Sequence, residues 1–332
     1  MPDAENGDSA WMSDDEIRCL VTGATGYVGG RLTPVLLEHG HDVRVLARNP
    51  DKLADVEWRD RVKVERGDLG DTESLIAAFD GVDVVYYLVH SMGSSSDFVE
   101  TEARSASNVV AAAQKTGVKR LVYLGGLHPS EKDLSPHLRS RVAVGEILLD
   151  SGIETVVLQA GIVVGSGSAS FEMMRHLTNR LPAMTTPKWV HNKIQPIAID
   201  DVLHYLAGAA TADLPASRTW DIGGPDALEY GDAMQVYAQV AGLRRRIIIP
   251  IPFLTPTIAS LWIGLVTPMP PGLARPLIES LEVDAVMSEH DIDAVIGPPP
   301  GGLTGYRDAI ANALKYGPLP HDPRWAHVGR EG

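Results

Sequence analysis

The stretch Ile17-Arg18-Cys19-Leu20-Val21-Thr22-Gly23-Ala24-Thr25-Gly26-Tyr27-Val28-Gly29 decides how this chain folds. Its first six residues read as a buried strand and its glycines as a turn. Tyr27 to His39 read as a helix stopped by Gly40. Gly23, Gly26 and Gly29 stand three apart. A side chain at either of the first two would obstruct the tight turn and the approach of a pyrophosphate. The third lets helix and strand pack closely. A helix beginning there turns free N–H groups and a positive dipole end toward phosphates. Thr22, Gly23, Thr25, Gly26, Tyr27, Val28 and Gly29 are therefore the expected dinucleotide-binding residues.

Outward from this unit, strands and helices alternate. Val43–Leu46, Val62–Val64, Val82–Val89, Lys119–Leu124 and Ile153–Leu158 read as strands. Ser74–Phe79, Phe98–Thr116 and Pro136–Leu149 read as helices, the last two closed by Gly117 and Gly152. This order predicts an α/β Rossmann fold, a doubly wound parallel sheet over 17–160. Residues 161–332 read as a smaller C-terminal α/β substrate-binding part that partly returns to the sheet. Within it, Asp200–Ala210, Tyr230–Ala241 and Leu303–Tyr316 suggest helices, and Arg218–Ile222 and Arg246–Ile249 suggest short strands. Ligands of open α/β sheets bind at the carboxyl ends of the strands.

The second strand selects the dinucleotide. An acid at its end accepts hydrogen bonds from a ribose 2′-OH when the ligand is NAD. Here Leu46-Ala47-Arg48-Asn49-Pro50 carries none, and Arg48 can instead pair with a 2′-phosphate through its planar fork. NADP(H) is therefore expected over NAD(H), with Arg44 a weaker second contact. Asp68 and Leu69, after the third strand, are expected to flank the adenine.

Composition narrows the classes. Hydrophobic content of 44% in 332 residues is ordinary for a globular chain, and the formal net charge of −14 argues against nucleic-acid binding and against anionic membranes. Asp3, Glu5, Asp8, Asp14, Asp15 and Glu16 suggest a disordered acidic tail over 1–16. Cys19 is the sole cysteine and lies in a buried strand, so an inert thiol is expected. No signal peptide is visible, and a cytoplasmic setting is expected. Ile247–Ala274 carries no charge but contains six prolines. Its proline-free centre, Thr257–Thr267, is 11 residues long, against about 20 for a spanning helix. No transmembrane span is expected. Internal packing, a homodimer contact and a membrane-surface contact stay open for 257–267.

Thr22-Gly23-Ala24-Thr25-Gly26-Tyr27-Val28-Gly29, Arg48, Gly67-Asp68-Leu69, Asn108 and Gly117-Val118-Lys119-Arg120-Leu121-Val122-Tyr123-Leu124 together resemble the extended and atypical short-chain dehydrogenase/reductases. The branch is the NmrA-like, NAD(P)H-binding, nucleoside-diphosphate-sugar epimerase-like one. The resemblance covers 17–225 and includes Pro196-Ile197-Ala198-Ile199-Asp200-Asp201-Val202 and Trp220-Asp221-Ile222-Gly223-Gly224-Pro225. It implies a Ser after the fifth strand and a Tyr-x-x-x-Lys pair on the next helix. This chain has Gly125-Gly126 and His137-Leu138-Arg139-Ser140-Arg141 there. Aligned in this way, His137 stands for the Tyr as an acid/base near neutral pH. Arg141 stands for the Lys, holding the ribose and positive charge near the ring. The bland alternative is that both are surface residues of a helix that only helps to bind cofactor.

His90, Ser91 and His128 fall at strand ends and are expected to line a substrate pocket. No metal-ligand spacing, nucleophile elbow or Walker motif occurs, so no metal site is expected. The leading expectation is an NADPH-dependent oxidoreductase that transfers hydride to a small, apolar carbonyl or enone. One alternative is a non-catalytic NADP(H) redox sensor. Another is a sugar-nucleotide epimerase or dehydratase, which would need the missing Tyr–Lys pair.

Overall fold

A computed structural model describes residues 16–90, 98–128, 134–251 and 266–330. The acidic tail apart from Glu16, Ser91, and all of 257–267 except Val266 and Thr267 lie outside these residues. The first half runs β1 (Arg18–Thr22), α1 (Tyr27–Glu38), β2 (Asp42–Ala47), β3 (Lys63–Arg66), α2 (Thr72–Phe79), β4 (Val84–Tyr87), α3 (Phe98–Thr116), β5 (Arg120–Gly126), α4 (Pro136–Leu149) and β6 (Glu154–Ala160). These strands pair in parallel. Then follow β7 (Val163–Val164), α5 (Ala169–Arg180), β8 (Ala183–Thr186), β9 (Lys193–Ile194), β10 (Ile197–Ala198), α6 (Ile199–Gly208) and β11 (Arg218–Ile222). Residues Arg218–Ile222 join the main sheet beside β6, giving seven strands in the order β11-β6-β5-β4-β1-β2-β3. The strand order reverses between β1 and β4, where open α/β sheets bind ligands.

Both faces of the sheet are covered, so its strands are nearly continuous apolar runs rather than alternating ones. Cys19, Val21, Val45, Tyr86, Leu158 and Trp220 pack on the α1 and α6 side. Leu20, Val85, Tyr87, Leu121, Tyr123 and Val157 pack under α2, α3 and α4. Both Tyr86 and Tyr87 are therefore core, and Tyr86 donates its hydroxyl proton to the Leu206 carbonyl at 3.0 Å. Cys19 is fully buried, and burial pushes its thiol far up, which keeps it unreactive.

The second half adds β12 (Leu228–Glu229), α7 (Tyr230–Val240), β13 (Ile247–Pro250) and the later helices Pro271–Glu279 and Tyr306–Tyr316. They share a core containing Phe171, Met174, Tyr237, Ile278 and Ile310. The helix Ala169–Arg180 was not legible as a periodic pattern. Its buried side includes Glu172, Arg175 and His176. Glu172, wholly buried, accepts from the Arg175 and Arg330 guanidinium groups and from the Gly167 N–H. A buried charge is tolerable when paired in this way, and the pairing hides the helix from an apolar count. The last expected helix begins at Tyr306 rather than Leu303 because Thr304 is held by Asp201 and Gly305 caps the helix.

Candidate active site

The glycine turn closes where Gly26 N–H meets the Gly23 carbonyl at 2.8 Å. Gly23 has φ +75°, and a Cβ there would stand 2.7 Å from the Leu88 carbonyl oxygen. A Cβ on Gly29 would collide with the Gly23 carbonyl. Gly23 and Gly29 are thus required by the protein's own backbone. Gly26 differs, because a Cβ would touch only the Gly23 oxygen, at 3.1 Å, and otherwise enter open space. Gly26 caps α1 without a side chain, and the first turn holds no acid. The free N–H groups of that turn and its dipole therefore face an open cradle that a side chain would fill. A diphosphate fits such a cradle.

The other expected binding residues surround this cradle unequally. Thr22 is buried, its hydroxyl donating to the Tyr86 carbonyl at 2.9 Å and accepting from Leu88 N–H at 3.1 Å. It welds the ends of β1 and β4 and has little left for a ligand. Thr25 is exposed at the turn, and Tyr27 and Val28 are half-buried. The Arg31 guanidinium lies 4.0 Å above the Tyr27 ring centroid. Arg48 follows β2 directly, exposed, with no ion pair among the described residues. Arg44 donates instead to the Asp80 carbonyl at 2.8 Å, at the opposite end of the sheet, and so drops out as a second phosphate contact. Asp68 accepts from Gly70 N–H at 2.8 Å in a tight turn, and the Leu69 carbonyl accepts from the Asn108 amide at 2.8 Å.

At the ends of β4 and β5 the residues expected to do chemistry come together, but not as free acids. His137 is buried on the first turn of α4 and stacks on Phe98 with ring centroids 5.7 Å apart. Burial, helped by the Arg141 charge, pushes its pKa down to about 3. A pKa held that low favours the neutral ring near pH 7, against the neutral-pH acid/base role expected from its alignment. His90 sets Nε2 3.1 Å from the Leu124 carbonyl, which can only accept, so that nitrogen carries the proton. Burial and the Arg141 charge hold His90 well below its ordinary pKa.

Arg141 is the cation at this corner. Its Nε is buried and has no hydrogen-bond partner among the described residues. A Cβ on Gly126 would lie 3.2 Å from one of its terminal nitrogens. The glycine at the expected serine position thus makes room for the guanidinium. Arg141, Gly125, Gly126 and His128 line a cleft of about 380 Å³ that continues over β6 and β11 past Gln159 and Asp221. His128 Nε2 and Gln159 Nε2 lie 3.0 Å apart. Gln159 and Asp221 escaped the sequence reading because β11 joins β6 only in the folded chain. A lone Gln or Asp in a strand carries no local signal.

Residues 23–166 match a family model described as NAD(P)H-binding. Cinnamoyl-CoA reductase 2 of Arabidopsis thaliana is 24% identical over 268 residues, 69% of this chain and 78% of that protein. The triphenylmethane reductase of Citrobacter sp., solved with NADP(H), superposes with a TM-score of 0.69 at 20% identity, covering 90% of this chain and all (100%) of that one. An NADPH-dependent quinone oxidoreductase of Escherichia coli, solved with NADPH, superposes with the same TM-score of 0.69 at 20% identity, covering 88% of this chain and 98% of that one. Residues 23–166 of this chain thus match an NAD(P)H-binding family, and the structural neighbours share the fold.

Proposed function

We propose that this protein is an NADPH-dependent reductase of small, apolar, conjugated acceptors such as quinones and enones. The observation that carries the reading is the Arg141 guanidinium, unpaired at Nε and lining a cleft, with His90 and His137 near it held below their ordinary pKa. The diphosphate is assigned to the α1 N-terminus at Gly26, the 2′-phosphate to Arg48 and the ribose to Arg141. When bound, NADPH supplies a hydride.

Reduction of a simple ketone leaves a strongly basic alkoxide, which calls for a positioned acid such as the absent tyrosine. Reduction of an enone or quinone leaves a delocalised, less basic oxyanion, which water can protonate. A fixed cation at the developing charge is then the main assistance the protein has to give. A guanidinium is a fixed cation in proteins, and Arg141 supplies one here. The quinone oxidoreductase and the triphenylmethane reductase among the structural neighbours are named for conjugated acceptors, which supports the same substrate class.

The test is loss of NADPH absorbance with purified protein and a panel of quinones, enones and aldehydes. Turnover of quinones or enones well above aldehydes is expected, and it should fall by about a hundredfold in Arg141→Met. Tight NADPH binding with no turnover of any acceptor would overturn the reading. It would favour the alternative of a redox sensor, for which the absent Tyr–Lys pair is the supporting observation.

A further inference from the structure

We propose that β13 and the arginines before it form a docking face for an anionic lipid bilayer. Among the described residues β13 pairs with β8 alone, in a two-stranded parallel sheet outside the main one, with Ile247 opposite Ala183 and Ile249 opposite Thr185. A strand with one face packed should turn polar side chains outward. Here Ile248 faces the second-half core, while Ile247 and Ile249 point outward, 60% and 52% exposed. Ala183 and Thr185 on β8 are exposed beside them.

The face is held in place rather than frayed. The Gln235 side chain accepts the Arg246 N–H at 3.0 Å and donates to the Arg246 carbonyl at 2.8 Å. That pair of hydrogen bonds to the backbone sets where β13 begins, with Arg244 and Arg245 exposed just before it. Lys188, two residues beyond β8, is exposed as well.

Charge along the chain marks the same place. Asp and Glu outnumber Lys and Arg by 43 to 29 overall, yet none occurs between Asp232 and Glu279. The charged residues of that span are Arg244, Arg245, Arg246 and Arg275. The net charge of −14 counts against anionic membranes only for the chain as a whole. Charges farther away than a Debye length of about 8 Å are largely screened, so the local sign governs a contact.

A small apolar face rimmed by arginines suits a bilayer surface. The isoleucines enter the boundary between headgroups and acyl chains, and the guanidinium groups stay at the phosphates. A two-fold contact with a second copy would bring the same patch against itself and add the arginines of both copies to one interface. No helix among the described residues is long and apolar enough to cross a membrane.

Flotation of the full chain with vesicles tests this, using phosphatidylcholine alone and phosphatidylcholine mixed with phosphatidylserine. Binding is expected only to the mixed vesicles, and weaker in high salt. The double variant Arg244→Gln/Arg245→Gln should lower the partition coefficient about twenty-fold or more. Ile247→Ser/Ile249→Ser should lower it at least about ten-fold, with both variants keeping the wild-type circular dichroism and melting profile. Equal binding by the wild type and both folded variants, or no binding to the mixed vesicles, would overturn the proposal. So would a concentration-dependent dimer that Ile247→Ser/Ile249→Ser abolishes while lipid binding persists.

Discussion

Arg31 and Asp322, 291 positions apart, are joined by two parallel hydrogen bonds of 3.0 and 2.6 Å. The pair is nearly buried, with side-chain exposures of 12% and 3%. Arg31 lies one turn inside α1, and its second nitrogen also donates to the Ser166 carbonyl at 3.0 Å. Asp322 also accepts from Leu319 N–H at 2.8 Å. The C-terminal segment is thereby fastened to α1, the helix proposed to hold the diphosphate. Breaking such a pair from one side leaves a buried charge without compensation. Asp322→Ala is expected to cost about 3 kcal/mol of stability, measured by urea unfolding. A loss below about 0.5 kcal/mol, the level of a surface pair, would show that the contact does not persist in solution.

Gly23 and Gly26 of the turn are expected to respond differently to substitution. Gly26→Val should leave the fold intact, because the added atoms enter open space beyond the Gly23 oxygen, yet it should abolish NADPH binding. Gly23→Val should instead destabilise the protein, since a β-branched residue at φ +75° also meets the Leu88 carbonyl. Calorimetric titration and thermal melts on both variants separate the outcomes. Wild-type NADPH affinity in folded Gly26→Val would remove the glycine turn as the phosphate site.

Arg48→Ala is expected to weaken NADPH binding by about ten-fold or more and to leave NADH binding unchanged, because a charge-assisted bidentate contact to a 2′-phosphate has no counterpart in NADH. Titration of wild type and variant with both nucleotides decides it. An equal effect on both would assign Arg48 a structural role after β2.

His137 makes stability depend on pH with a definite sign. Its folded pKa, about 3, lies below the unfolded value near 6.5, so the unfolded chain binds the proton more readily. The His137 contribution is intact above pH 6.5 and is lost as pH falls from there toward 3. The limiting slope is about 1.4 kcal/mol per pH unit for one proton. Exchange for Phe, which can stack on Phe98 without titrating, should make this part of the profile shallower by the share of one proton while reductase activity near pH 7 is retained. A sharp loss of turnover in His137→Phe with normal NADPH binding would return the proton-donor role to this histidine.

Local spacing carried much of the first half. The glycine turn, the β-branched runs of β4 and β6 and the helix-stopping Gly117 and Gly152 are written within a few residues of where they act. The expected spans Phe98–Thr116 and Pro136–Leu149 coincide with α3 and α4. Arg48 was legible because its position relative to β2 is itself a local fact. The helix Ala169–Arg180 was not, because its inward side chains include ions whose partners, Arg330 among them, lie far along the chain.

By itself, the sequence determined that a glycine-rich turn joins a buried strand to a helix in a parallel α/β sheet. Turn geometry and hydrophobic periodicity depend on neighbours a few residues away, which any chain with this spelling shares. Tertiary structure alone decided that Arg218–Ile222 closes the edge of the sheet, that Asp322 clasps Arg31 and that Gly126 leaves space for Arg141. It also decided that the His137 pKa is pushed down. A histidine's charge depends on how much water and how many charges surround it, and for His137 those surroundings include Phe98, brought from another helix to cover its ring.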